Sequence, residues 1–108
     1  MTVKELTKTA GLTCLCMPAP EREVNGAYIG DLLSWVIGRA EADNAWITIM
    51  SNLNVLAVAS LADVSCVVLA EGVTLDSEIL ATAEEKGVNV LSSKLSTYET
   101  AVKLSGVI

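Results

Sequence analysis

The chain has 108 residues, a formal net charge of −6, and 52% apolar against 19% charged residues. That size and composition suit one compact domain with a real core, residues 1–108 as a single unit, and exclude global disorder. Seven basic residues against 13 acidic ones speak against a nucleic-acid partner, and the absence of His removes the commonest general base and the commonest metal ligand.

A first helix starts at a capping box, Thr2 with Glu5, and stops at Gly11. Val3, Leu6 and Ala10 share one of its faces. Leu12 to Cys16 reads as a short strand, broken by Met17-Pro18-Ala19-Pro20 because proline cannot donate to a ladder. Glu23 to Ile29 reads as a second strand, loosened at Gly26. Asp31 is placed to cap a short helix that runs through Ile37 and closes at Gly38. From there the pattern is regular. Ala45 to Met50 is a buried strand, Asn54 to Asp63 a helix, Val64 to Ala70 a strand, and Asp76 to Lys86 a helix capped by Asp76 and stopped by Gly87. Val88 to Leu91 is a strand, and Ser96 to Ser105 is a helix opened by a second capping box, Ser96 with Glu99. Three strand-helix units in a row predict an α/β fold of three-layer type. Its sheet is mainly parallel, with right-handed crossovers and helices on both faces. The units recur about every 21 residues but are not alike in sequence, so they do not form a solenoid.

The most apolar region, Ala45 to Ala62, is interrupted by Ser51, Asn52 and Asn54, and no membrane span or membrane partner is expected. Met1 to Glu5 lacks the apolar core of a signal peptide. Cys14, Cys16 and Cys66 fit a reducing compartment without a disulfide framework. A cytoplasmic location is the expectation.

Ligands of open parallel sheets bind outside the carboxyl ends of the strands. Three polar clusters fall there: Ser51-Asn52-Leu53-Asn54 after one strand, Glu71-Gly72-Val73-Thr74 after the next, and Ser92-Ser93-Lys94 after the last. Within them Ser51, Asn52, Asn54, Gly72, Thr74, Ser92 and Ser93 are the candidate ligand-binding residues. The same residue types are also favoured in turns and helix caps, and that plain reading stands beside the functional one. Glu71 adds a negative charge that suits a phosphate badly. Neither Gly-x-x-x-x-Gly-Lys-Ser/Thr nor Gly-x-Gly-x-x-Gly occurs, so phosphoryl transfer by this chain alone is not expected.

Cys14 and Cys16, two apart on a strand, are expected on one side of it as small apolar residues. One such pair without His cannot complete a four-coordinate zinc site, and neither a metal site nor a cofactor is implied. Cys66 is expected in the core. Asp76, Glu78, Glu84 and Glu85 read as a solvated helix face. Trp35 and Trp46 either anchor a partner or fill a core that has no Phe. The helix NVLAVASLA is apolar nearly all round, and small domains are short of internal volume. That argues either for a central helix or for a subunit interface, and an interface over Val55, Leu56, Ala59 and Ser60 is the expectation.

The stretch TIMSNLNVLAVASLADVSCVVLAEGVTLDSEILATAEEKGVNVLSSKLSTYETAVKLSGVI resembles the DRTGG domain family, and EREVNGAYIGDLLSWVIGRA is similar to the first half of its small stand-alone members. The pieces that carry the resemblance are Val24 to Leu33, Ala57 to Leu61, Ile79 to Leu91 around Gly87, and Thr97-Tyr98-Glu99-Thr100. The resemblance implies a fold like the N-terminal domain of HPr kinase/phosphorylase and a regulatory, self-pairing role. Relatives sit beside CBS domains in some pyrophosphatases, where nucleotide binding is known, and within longer phosphotransacetylases. Many relatives carry a Gly-Asp-Arg-like loop where this chain has Ser51-Asn52-Leu53-Asn54, which leaves no Arg there to hold a phosphate bidentately.

The leading expectation is a non-catalytic regulatory module, a homodimer acting through a partner protein or a small ligand. The alternative is a sensor of adenine nucleotides or another small metabolite. A third reading, phosphotransfer on the HPr kinase pattern, lacks the phosphate loop.

Overall fold

Two runs, Ala45-Trp46-Ile47-Thr48 and Cys66-Val67-Val68-Leu69, carry almost no polar side chain, and only a sheet covered on both faces accommodates that. A computed structural model, describing residues 1–108, has this form. Its elements are α1 (Val3–Thr9), β1 (Thr13–Cys16), β2 (Ala27–Ile29), α2 (Leu33–Arg39), β3 (Ala45–Thr48), α3 (Asn54–Ala62), β4 (Cys66–Leu69), α4 (Ser77–Lys86), β5 (Val90–Ser92) and α5 (Thr97–Ser105). The sheet order is β1-β5-β4-β3-β2. β2, β3, β4 and β5 run parallel, and β1 joins β5 antiparallel at one edge. Every residue of β3 and β4 is buried.

Side chains alternate along each strand and so feed two cores. Trp46, Val67, Leu69 and Val90 pack with Val36 of α2, Val55, Leu56 and Ala59 of α3, and Ala83 of α4. Ala45, Ile47, Cys66, Val68 and Leu91 pack with Val3 and Leu6 of α1 and Leu104 of α5. The expected three-layer α/β architecture is thus present, with three helices on one face and two on the other.

Both capping boxes form. Thr2 Oγ1 accepts from the Glu5 amide and Ser96 Oγ from the Glu99 amide, and each Glu reaches back to its cap. Asp76 caps α4 at the Ile79 amide, and Gly87 ends it at φ +72°. Three local expectations need correction. The second strand is only Ala27–Ile29, because Gly26 at φ +74° turns the chain just before it. Asp31 does not cap α2. Its Oδ1 accepts from Thr48 Oγ1 (2.8 Å) and the Ile49 amide (3.1 Å), tying the start of α2 to the end of β3, and α2 runs through Gly38 to Arg39. Cys14 and Cys16 do not share a side. The β1–β5 register shifts between them, leaving Cys14 exposed and Cys16 buried against Glu84 Oε2.

β1 and β2 lie at opposite edges, so residues 17–26 must cross the sheet beneath β5, β4 and β3. One buried polar residue just before each of these strands holds the crossing segment. Asn89 accepts from the Ala19 amide and donates to the Ala19 carbonyl and to the Ser65 carbonyl. The Ser65 hydroxyl faces the Glu23 and Asp43 carbonyls and shares its one proton between them. Asn44 donates to the Asn25 carbonyl at 2.8 Å. Arg22, on the same strap, donates to Asp63 Oδ1 (2.7 Å) and Asp43 Oδ1 (3.1 Å). The amino end of the sheet is closed by this strap.

Candidate functional site

The carboxyl end has no such cover, and the seven candidate ligand residues all fall on it. The structure does not gather them into one pocket. Ser51, Asn52 and Asn54 are exposed after β3, and Asn52 Oδ1 accepts from the Asn54 amide at the start of α3. Gly72 and Thr74 are exposed after β4, with Gly72 at φ +73°. The turn they form is held to the β5 loop, since the Glu71 amide donates to the Leu95 carbonyl and the Gly72 amide to the Ser93 carbonyl. At these two strand ends the turn and capping reading accounts for every contact.

The third end is different. Ser93 is buried, its hydroxyl accepting from Thr100 Oγ1 (2.9 Å) and the Leu95 amide (3.2 Å), and it anchors the loop to α5. Ser92 is half-buried and opens onto a polar cavity of about 290 Å³ lined by Gly11, Thr13, Ser92, Ser93, Lys94 and Lys103 among others. Three separate segments build it: the α1–β1 turn, the end of β5, and the last turn of α5. Gly11, at φ +66°, leaves its floor low, and a β-carbon there would meet Lys103 Nζ at 3.7 Å. Neither Lys94 nor Lys103 forms an ion pair within the chain. Both are exposed. Two of the chain's seven basic side chains thus face one cavity in a protein of net charge −6.

The nearest acids are turned elsewhere. Glu71 Oε2 accepts from the Thr97 amide (2.9 Å), and Glu99 Oε1 from the Ser96 amide (3.3 Å). Both carboxylates therefore answer the first turn of α5, where a negative charge is favoured.

Of the sequence candidates, only Ser92 and Ser93 line a cavity. Lys94, the last residue of the Ser92-Ser93-Lys94 cluster, lines it too, and Gly11, Thr13 and Lys103 complete it from distant segments that spacing does not bring together. The interface expectation for α3 needs correction as well. Val55, Leu56 and Ala59 are buried inside the protomer, because the sheet covers one side of α3 while α2 and α4 flank it. Of the four candidates only Ser60 is on the surface. Trp46 belongs to the core, its indole N–H donating to the Gly30 carbonyl. Trp35 is half-exposed with Arg39 stacked 3.8 Å from its ring. Glu84 and Glu85 are exposed as expected, and Cys66 is buried.

The family model of the DRTGG domain matches residues 5–107. The chain belongs to the DRTGG domain family. No curated protein matches the sequence. Among solved structures, it is similar to the CBS and DRTGG domains of the regulatory region of Clostridium perfringens pyrophosphatase, complexed with the activator diadenosine tetraphosphate, with a TM-score of 0.70. The identity is 13%, so the likeness is one of fold. The match covers 95% of this chain and 45% of that one, and the present DRTGG domain therefore spans less than half of that regulatory region. No helix of the domain is long and apolar enough to cross a membrane.

Proposed function

We propose that this DRTGG domain is a non-catalytic regulatory module of the cytoplasm that senses a small anionic ligand at the carboxyl end of its sheet. The observation that carries this reading is the cavity at the end of β5, where Ser92 and two unpaired lysines meet. Such a set binds anions well. It offers hydrogen bonds and positive charge but no pair of groups arranged as acid and base. The similarity to a pyrophosphatase regulatory region solved with a nucleotide activator points the same way. The test is a thermal-shift screen of the purified chain against nucleotides, phosphorylated metabolites and non-phosphorylated controls. A ligand at 100 times its dissociation constant adds about 2.7 kcal/mol to the native state. For a domain of this size that is a rise on the order of 10 °C. A screen flat across all anions would overturn the reading.

The module acts by pairing with a second copy or with a partner protein. A specific surface supports self-pairing, though not the one expected on α3. Ile29 (48% exposed), Leu32 (60%), Ile49 (42%) and Leu53 (54%) stand at the β2 edge and the adjoining carboxyl ends of β2 and β3. β2 offers a free strand edge there. Sedimentation at tens of micromolar should give a dimer that Ile49→Asp dissociates. A monomer in both cases would remove self-pairing and leave a partner protein as the route.

A further inference from the structure

Next to the polar cavity, along α5, lies a second and mostly apolar one of about 340 Å³, lined by Leu95, Tyr98, Glu99, Val102 and Lys103. Tyr98, Glu99, Val102 and Lys103 form one stripe of α5 at spacings of three and four, and Leu95 sits just before its cap. Leu95 and Lys103 belong to both cavities. Tyr98 is 77% exposed and Val102 51% exposed, so the groove presents bare apolar surface beside two free ammonium groups.

We infer that the two cavities form one bipartite site for a nucleoside polyphosphate, with the phosphates on Lys94, Lys103, Ser92 and Thr13 and the base on Tyr98 and Val102. This deepens the sensing role proposed above and rests on it.

The chemistry divides at Lys103. On one side, two ammonium groups and the Ser92 and Thr13 hydroxyls supply donors to phosphate oxygens. The carboxylates of Glu71 and Glu99 are each held by an amide at the start of α5, those of Thr97 and Ser96. On the other side, an aromatic ring free of its own core offers a face on which a flat base can stack, and Leu95 and Val102 flank it. A free phosphate would leave the groove bare, and an apolar molecule without charge would leave both lysines unpaired. Each cavity is near 300 Å³, and together they reach the size range of small-molecule sites, roughly 300–1,000 Å³.

The experiment is isothermal titration of the whole chain, in EDTA, with ATP, inorganic tripolyphosphate and adenosine. It is repeated on Lys94→Gln/Lys103→Gln and on Tyr98→Ala. All three residues are exposed, and circular dichroism checks that the variants fold. The site predicts binding of ATP and, more weakly, of tripolyphosphate. The double lysine variant should lose at least tenfold in affinity for both. Tyr98→Ala should lose about tenfold for ATP and nothing for tripolyphosphate, the size expected of one stacked base. ATP binding that survives the lysine substitutions overturns the site but leaves ligand sensing intact. Tripolyphosphate and ATP losing equally in Tyr98→Ala overturns the base-stacking half. No binding of ATP or tripolyphosphate at millimolar concentration overturns the whole assignment. The sensing role then stands or falls on whether another anion shifts the melting temperature.

Discussion

The two ends of the same sheet are built on opposite plans. At the amino end, the strap of residues 17–26 passes under β5, β4 and β3, and Asn89, Ser65 and Asn44 each spend their polar groups on holding it. These three are at most 7% exposed. At the carboxyl end, polar side chains stand open to solvent, and Lys94 and Lys103 have no charged partner within the chain. Polar residues in the first setting specify the fold, since a buried polar group without a partner is heavily penalised. In the second setting their hydrogen-bonding capacity is left over for something else. Position along the strand, more than residue type, separates polar groups spent on the fold from polar groups left open to solvent in this domain.

The sharpest way to break that comparison is at Asn89. Replacing it by Leu roughly keeps the volume but strips three hydrogen bonds, two from half-buried backbone at Ala19 and one from buried backbone at Ser65. The loss should be about 3 kcal/mol, since each buried group left unpaired costs its own desolvation. Urea unfolding at neutral pH measures it. An Asn89→Leu protein as stable as the parent would mean that the strap is not what closes the amino end.

A smaller effect is expected at Arg22, which joins the strap to the ends of two loops. Asp43 and Asp63 adopt φ +68° and +57°, and Arg22 Nη2 reaches both carboxylates. The Arg22 side chain is 29% exposed, and its partners are more so. Arg22→Met should therefore cost only about 1 kcal/mol in the same unfolding assay. A loss as large as that of Asn89→Leu would mean that the charge cluster, and not the buried amides, dominates.

The thiols report on the same closed core. Burial pushes the Cys66 thiol up to about 12, and burial with the neighbouring Glu84 carboxylate pushes Cys16 up to about 12. An unfolded thiol ionises near 9, so the folded state holds these protons more tightly. Their contribution to stability is complete below that value and is lost as the pH rises from there toward 12. At pH 8, iodoacetamide should label the native chain once, at exposed Cys14, and three times after unfolding. Two rapid labels in the native state would place Cys16 or Cys66 within reach of solvent.

How much of this was legible in the sequence depends on the range of the interaction. The caps at Thr2, Asp76 and Ser96 bind residues three positions away, and they were read correctly from spacing. The strap leaves no local signal of its pairing, because Asn89 meets Ala19 across 70 positions. Its trace was nevertheless present: Asn44, Ser65 and Asn89 each immediately precede an apolar β-run. Asn44 bounds one predicted strand, while Ser65 and Asn89 fall inside the predicted Val64 to Ala70 and Val88 to Leu91 strands, where spacing alone names no distant partner for them. α3 misled for a related reason. Its apolar surface does need cover, but one sheet and two helices of the same protomer supply it. At the candidate site, Ser92 and Ser93 followed from the rule about strand ends. Lys103 and Thr13 required knowing that α5 and β1 flank β5.

The smallest effect is the most telling one. Lys94→Gln and Lys103→Gln remove two exposed charges that bond to nothing in the chain, from a protein already at −6. Charges built into the fold would be missed, as Arg22 should be. Charges held for a ligand should not. Each lysine substitution should therefore leave the unfolding free energy within about 0.5 kcal/mol of the parent in the absence of ligand. A loss near that of Arg22→Met would mean that the lysines brace the α5–β1 corner, with Lys103 propping the Gly11 turn. The carboxyl end would then be as structural as the amino end. Unchanged stability together with lost ATP binding is the only pairing of results in which the two ends remain different in kind.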